Sequence, residues 1–200
     1  MKYFLNTDKT GRNYPPICFY DEAFTEEELV KIENYCETLT KKEAGIQSNT
    51  STDSKFDNNI RKTNIAWVHR DDETAPWIDR FHQVALMMND GFYNMNFTSY
   101  EDFQYTCYDS EQSKYDFHID THMGTYASIQ RKMTAILILS KPEEYVGGKF
   151  QIKTDNFERT IEQPRGRMIF FPAFILHRVT PIESGVRKSL VNWLSGPHFK

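Results

Sequence analysis

Tyr115-Asp116-Phe117-His118-Ile119-Asp120 is the stretch on which the fold turns. Along an extended strand, alternate side chains point to the same face, so His118 and Asp120 project together, about 7 Å apart along the backbone. That puts an imidazole and a carboxylate side by side. A third ligand has to come from a distant strand, and His177 is the candidate. Two histidines and one carboxylate on one side of a metal, with open positions opposite, suit non-haem Fe(II) that activates oxygen. A bare His-x-Asp is common by chance, so the surroundings of these residues must carry the rest of the argument.

Around His177 the sequence is strongly apolar. Arg167-Met-Ile-Phe-Phe-Pro172 and Ile175-Leu-His-Arg-Val179 both read as buried strands. Pro181-Ile-Glu-Ser-Gly185 is a turn cluster, and Val186 to Leu194 alternates again. Pairing of the two flanking strands across a turn centred near Ile182 would set His177 and Arg187 opposite each other on one face. A buried guanidinium there has a purpose if a carboxylate binds between it and the metal, because its planar fork makes two parallel charge-assisted hydrogen bonds. Ser189 shares that face and can donate a further one. Trp193 lies at the same period and points either into the cavity or into the core.

These residues resemble the Fe(II)- and 2-oxoglutarate-dependent dioxygenases, in particular the prolyl 4-hydroxylase-like branch. The resembling blocks are Phe103-Gln-Tyr-Thr-Cys-Tyr108, Tyr115 to Asp120, Thr134-Ala-Ile-Leu-Ile-Leu139, Gly147-Gly148, Phe170 to His177, Arg187-Lys-Ser189 and Trp193-Leu-Ser-Gly-Pro197. They span roughly residues 95 to 200. The resemblance implies a double-stranded β-helix (jelly roll) with iron between its sheets, held by His118, Asp120 and His177. It implies that Arg187 and Ser189 hold the distal carboxylate of 2-oxoglutarate. A tyrosine upstream of the His-x-Asp helps in that family; Tyr108 is the best positional match and Tyr105 the lesser one. His122 continues the period-two spacing and would compete as a ligand if the strand ran on, but the resemblance gives it no metal role, and Thr121 to Ser128 reads as a loop. His69, His82 and His198 read as structural or solvated.

Composition sets bounds. Two hundred residues, 39% hydrophobic and 14% aromatic, can bury one sizeable core. The net charge of −4 disfavours a nucleic-acid substrate. Cys18, Cys36 and Cys107 have no metal-like spacing and leave one thiol over in any disulfide scheme, as expected of reduced thiols. No apolar run approaches the length of a membrane span and no signal peptide is legible, so a soluble cytoplasmic protein is expected, with its oligomeric state left open.

The layout reads as α+β: supporting helices first, a β core second. A single domain over 1–200 is expected, with helical support and a flexible loop over 1–94 and the catalytic β-helix core over 95–200. Thr25-Glu-Glu-Glu28 is a capping box, followed by Leu29, Ile32, Tyr35, Cys36 and Leu39 at helical spacing. Lys41 to Thr63 is polar and reads as a long mobile loop able to order over a substrate. Ile65-Ala-Trp-Val68 reads as a strand. Pro76 opens a second helix with Trp77, Phe81, Val84, Ala85 and Met88 on its apolar stripe.

The resemblance implies a hydroxylase that uses Fe(II), 2-oxoglutarate and O2, with ascorbate as a candidate addition, and releases succinate and CO2. The substrate expected first is a prolyl residue of a peptide or protein. A free amino acid or other small molecule is the alternative, and a non-catalytic metal-binding β-barrel module is the competing class.

Overall fold

The computed structural model describes residues 15–47, 54–55, 57–121, 129–154 and 157–198. Helix α1 spans Glu26–Thr38 and begins as its sequence dictates. The Thr25 hydroxyl accepts from the Glu28 amide, and the Glu28 carboxylate accepts from the Thr25 amide at 2.9 Å. Its buried residues are Leu29, Ile32 and Cys36. Helix α2 spans Ala75–Met88, carries Pro76 in its first turn, and buries Ile78, Phe81, Ala85 and Met88. One wider turn, Asn89–Tyr93, extends it and ends at Asn94 in the left-handed region.

Two antiparallel sheets form the core among the described residues. The larger has eight strands, in the order Cys18–Tyr20, Met168–Pro172, Ile129–Ile138, Arg187–Pro197, Phe103–Tyr108, Asn64–Val68 and Lys42–Glu43, with Ser99–Tyr100 beside Arg187–Pro197. The smaller has five, in the order Phe157–Ile161, Phe150–Thr154, Leu176–Val179, Lys114–His118 and Arg61–Lys62. This pair of facing sheets is consistent with a jelly-roll core.

Residue parity assigns each side of the larger sheet. Met133, Ala135, Leu137, Phe103, Tyr105, Phe170 and Leu190 pack with the two helices in one cluster. Ile136, Ile138, Tyr108, Ile169 and Phe171 pack with Phe150, Ile152 and Val179 of the smaller sheet in another. Strands buried on both faces become near-continuous apolar runs, which is why Thr134–Leu139 and Met168–Phe171 show little alternation in the sequence. Phe81 meets Phe103 edge-on at 4.7 Å between α2 and the sheet. Truncating a buried Phe of this kind to Ala costs about 3–5 kcal/mol.

Two expectations need correcting. The strands holding His177 and Arg187 are not partners. Leu176–Val179 belongs to the smaller sheet and Arg187–Pro197 to the larger, because Ile182–Gly185 pairs with Tyr145–Gly147 and carries the chain from one sheet to the other. The two residues therefore face each other across the sandwich. The stretch Lys41 to Thr63 is also not one irregular loop. Lys42–Glu43 and Arg61–Lys62 are edge strands of the two sheets, and Ile46–Gln47 pairs with Ser54–Lys55. Residues 48–53 and 56 lie outside the described residues, and the expected closure over a substrate lies there with them. No described helix is long and apolar enough to cross a membrane.

Candidate active site

His118 ends its strand, and the register sets it directly across from His177 on the neighbouring strand, with the rings 4.2 Å apart. Asp120 reaches the same place by a turn and not by strand pleating. The backbone leaves the sheet after His118, and the amides of Asp120 and Thr121 both donate to the Ala173 carbonyl, at 2.8 and 3.1 Å. The carboxylate then lies 3.5 Å from His118 Nε2 and 3.6 Å from His177 Nε2. One donor atom from each of the three residues falls within 4.8 Å of the others.

Hydrogen bonding decides what these atoms offer. His118 Nδ1 lies 2.8 Å from the Asp116 carbonyl, and His177 Nδ1 lies 2.9 Å from the Ile175 carbonyl. A carbonyl only accepts, so each Nδ1 carries the proton, and a neutral ring then turns an Nε2 lone pair toward Asp120. Burial, with the His118 imidazole beside it, pushes His177 down to about 4, so that ring is neutral at pH 7. Burial alone would raise the Asp120 carboxyl. The His177 and His118 imidazoles and the Thr134 hydroxyl outweigh it and hold the group well below the usual carboxylate range. Thr134 Oγ1 donates to Asp120 Oδ2 at 2.7 Å, its side chain facing inward by the same parity as Ile136 and Ile138. Three electron-pair donors thus face one another, a donor set that fits a divalent cation.

The triad lines a cavity of about 1000 Å³ that also takes in Arg187, Ser189 and Tyr108 from the larger sheet. Arg187 is 1% exposed. Tyr108 is its register partner, with the guanidinium 5.3 Å from the phenol ring centre, and Ser189 accepts from Arg187 Nη1 at 3.4 Å. Arg187 Nε and Nη2 both donate to Gln163 Oε1, at 2.9 and 2.6 Å. Gln163 Nε2 donates in turn to the Gly148 carbonyl at 3.1 Å. None of these partners is negatively charged, so the buried cation keeps its demand for an anion. The Gly147-Gly148 turn backs this arrangement. Both residues have positive φ, and a Cβ on Gly148 would lie 2.5 Å from Ile182 Cδ1 and 3.2 Å from Arg187 Cδ.

The remaining expected residues separate cleanly. Tyr105 faces the helices, where its hydroxyl donates to Glu37 at 2.6 Å, so it is not a cavity residue. Trp193 lines the cavity, with the Arg131 guanidinium 3.7 Å from its ring centre. His122 lies outside the described residues. His69 pairs with Asp102, His82 with Asn192 and His198 with Gln130, all away from the triad. Gln163, Thr134 and Arg61 are additions for which the sequence suggested no role. Only Thr134 was traceable, through strand parity.

Comparison with known proteins adds the family. The sequence model described as the 2OG-Fe(II) oxygenase superfamily matches residues 103–195, a span that includes the triad, Tyr108, Arg187 and Ser189. Residues 103–195 belong to the 2OG-Fe(II) oxygenase superfamily. That family implies Fe(II), 2-oxoglutarate and O2. A PKHD-type hydroxylase of Synechococcus sp. (strain JA-2-3B'a(2-13)) is 33% identical over 91 residues, covering 44% of this chain and 40% of the relative. One from Hyphomonas neptunium is 38% identical over 86 residues, covering 42% and 38%. The matched segment is thus well under half the length of these curated relatives. Among solved structures, a Pseudomonas putida prolyl-4-hydroxylase superposes with TM-score 0.70 at 18% identity, covering 90% of this chain and 92% of its own. A Trichoplax adhaerens prolyl hydroxylase, in complex with a hypoxia inducible factor peptide fragment, gives 0.72 at 18%, covering 90% and 83%. At that identity these two speak for the fold alone.

Proposed function

We propose that this 2OG-Fe(II) oxygenase is a hydroxylase in which His118, Asp120 and His177 hold Fe(II) and Arg187, with Ser189 and Tyr108, binds the distal carboxylate of 2-oxoglutarate. One observation carries the reading: a convergent His-Asp-His set shares a cavity with a buried guanidinium that has no counter-charge among the described residues. When bound, Fe(II) with 2-oxoglutarate and O2 supplies the oxidation of an unactivated C–H bond to an alcohol, and the cosubstrate leaves as succinate and CO2.

The protein's own residues do the positioning. The two backbone carbonyls keep the Nε2 lone pairs aimed at the metal, and Thr134 fixes the carboxylate that completes the set. Gln163 occupies one edge of the Arg187 guanidinium, leaving Nη1 and Ser189 for the cosubstrate. Phe150 and Val179 line the cavity and, with Phe171 packed against the His177 ring, make its wall beside the triad apolar.

For the substrate, the supported first choice is a prolyl residue of a peptide or protein, since the fold neighbours include prolyl hydroxylases, one of them with a peptide bound. A free amino acid or another small molecule is the second choice. A metal-binding module without catalysis would leave the unpaired Arg187 without a task. The test is incubation of candidate peptides and amino acids with the protein, Fe(II), 2-oxoglutarate and ascorbate under air. A hydroxylated product one oxygen heavier, formed together with succinate, is expected; iron and 2-oxoglutarate binding without succinate would refute the proposal.

A further inference from the structure

We propose that the cavity contains a second anion subsite, in which Arg61 receives a carboxylate of the primary substrate. This rests on the assignment of Arg187 to 2-oxoglutarate. Arg61 lies on the short edge strand Arg61–Lys62 of the smaller sheet, in register with Tyr115, and is 8% exposed on the cavity wall. Its guanidinium sits 4.5 Å over the Tyr115 ring, and that ring stacks on His118 at 3.4 Å and 14°. Arg61, Tyr115 and His118 form one row leading to the metal-binding donors.

The hydrogen bonds of Arg61 are incomplete. Nη1 donates to the Gly45 carbonyl at 3.1 Å and Nη2 to Gln104 Oε1 at 3.4 Å, both neutral acceptors. Nε is buried without a partner. Among the described residues, one other buried side-chain polar atom shares that condition, Trp193 Nε1, and Trp193 lines the same cavity. Buried donors are nearly always satisfied in a native protein. Both orphans belong to residues that line this one cavity, and the Arg61 guanidinium has only neutral partners there, which leaves it a charge to offer a ligand.

Charge balance identifies the ligand's chemistry. A dication, the Asp120 carboxylate, the 2-oxoglutarate dianion and Arg187 sum to zero. Of the other charges that line the cavity, Lys42 and Glu43 offset each other, and Arg131, on the larger sheet, is closed by Glu101 through two hydrogen bonds of 2.6 and 2.5 Å. Arg61 remains as one positive charge without a carboxylate among the described residues, and an arginine cannot shed its proton. A substrate carboxylate restores neutrality and satisfies Nε with a charge-assisted bond. A free amino acid, the carboxy terminus of a peptide and an acidic side chain all present this chemistry.

The experiment uses Mn(II)-loaded protein with 2-oxoglutarate bound and reads paramagnetic broadening of probe proton signals. The probes are N-acetyl L-amino acids with uncharged side chains and, in parallel, their neutral amides. Acids are expected to bind more tightly than their amides. R61Q is expected to lose roughly thirtyfold in acid affinity, the low end for breaking a buried charge pair, and to treat amides as before. R61K keeps the charge and is expected to retain the acid preference, which covers the case of a poorly folded R61Q. Aspartyl and glutamyl amides separate the sources: their binding marks an acidic side chain, and binding of the α-acids alone marks a free acid or terminus. Equal binding of acids and amides, binding of neither series, or an acid preference that survives in R61Q overturns the proposal. Failure of 2-oxoglutarate itself to bind would instead bring down the assignment beneath it.

Discussion

Arg187 and Lys188 are neighbours on one strand, yet they meet opposite surroundings. Lys188 turns to the helix side, where Glu33 and Glu37 of α1 lie 3.0 and 2.9 Å from its ammonium. Burial alone would lower its pKa, and those carboxylates raise it instead. Arg165 on that side is likewise closed by Glu26 and Glu33. Arg187 turns to the cavity and finds an amide and a hydroxyl. The contrast separates two uses of a buried charge. Compensation inside the fold makes a structural tie, whereas a cation left with neutral partners is open to a ligand.

The metal set is where this division can fail most visibly. Asp120→Ala should abolish most Mn(II) or Fe(II) affinity, measured by bound metal after equilibrium dialysis, well beyond the roughly 10–100-fold expected of a residue behind the ligands. Thr134→Val tests that outer layer and should fall within that range, about tenfold to a hundredfold, in the same assay. Metal affinity equal to the parent's in the Asp120 variant would remove the triad from consideration. On the cosubstrate side, Arg187→Ala should weaken 2-oxoglutarate binding about thirtyfold or more with metal affinity unchanged. Lys188→Ala should leave 2-oxoglutarate affinity alone and lower thermal stability. Equal loss in both variants would erase the distinction between the two sides of the strand.

A smaller effect is expected from Gln163→Glu, which gives Arg187 a carboxylate of its own. About a tenfold loss of 2-oxoglutarate affinity should follow, ~1.4 kcal/mol, without loss of thermal stability. Tighter cosubstrate binding in this variant would mean that Arg187's lack of a counter-charge is incidental.

Acid should distinguish the two sides through stability of the metal-free protein. Burial, with His118 beside it, lowers His177 from 6.5 to about 4, so the unfolded state binds the extra proton first and stability declines as pH falls through that window. On the helix side, Glu37 is lowered from 4.5 to about 2, since its bonds to Lys41, Tyr105 and Lys188 outweigh burial. Its contribution is complete above 4.5 and is lost as pH falls toward 2. Glu37→Gln should flatten only the lower window of a melting-temperature profile, and saturating metal should steepen the upper one, because bound metal keeps the histidine ligand atoms deprotonated in the folded state while the unfolded chain still takes up protons. A single undivided decline would show that the two sides are coupled.

Much of this arrangement was legible from local pattern. The capping box at Thr25 started α1 where expected, and His118, Asp120, His177, Arg187, Ser189 and Tyr108 do line one cavity. What local pattern could not carry is the pairing. Ile182–Gly185 joins Tyr145–Gly147, some forty residues earlier, and nothing in either segment's alternation announces the other. Asp120 is aimed by a carbonyl fifty-three positions away, at Ala173. Gln163 lies in an irregular stretch before Met168–Pro172, where no periodicity assigns a direction to its side chain.

Both histidines are held in the same way: each Nδ1 bonds the carbonyl two residues before its own ring. No side chain takes part, so no substitution at position 116 or 175 can remove the acceptor itself. The proton's place on the imidazole is written into the backbone path, beyond the direct reach of point mutation, and survives drift in the residues around it. Thr134 is the vulnerable member of this support: among the described residues it makes the one side-chain hydrogen bond to the triad that a single base change can delete. Natural variation and laboratory tuning of the metal's environment should therefore concentrate there, while the two rings keep their orientation through long sequence divergence.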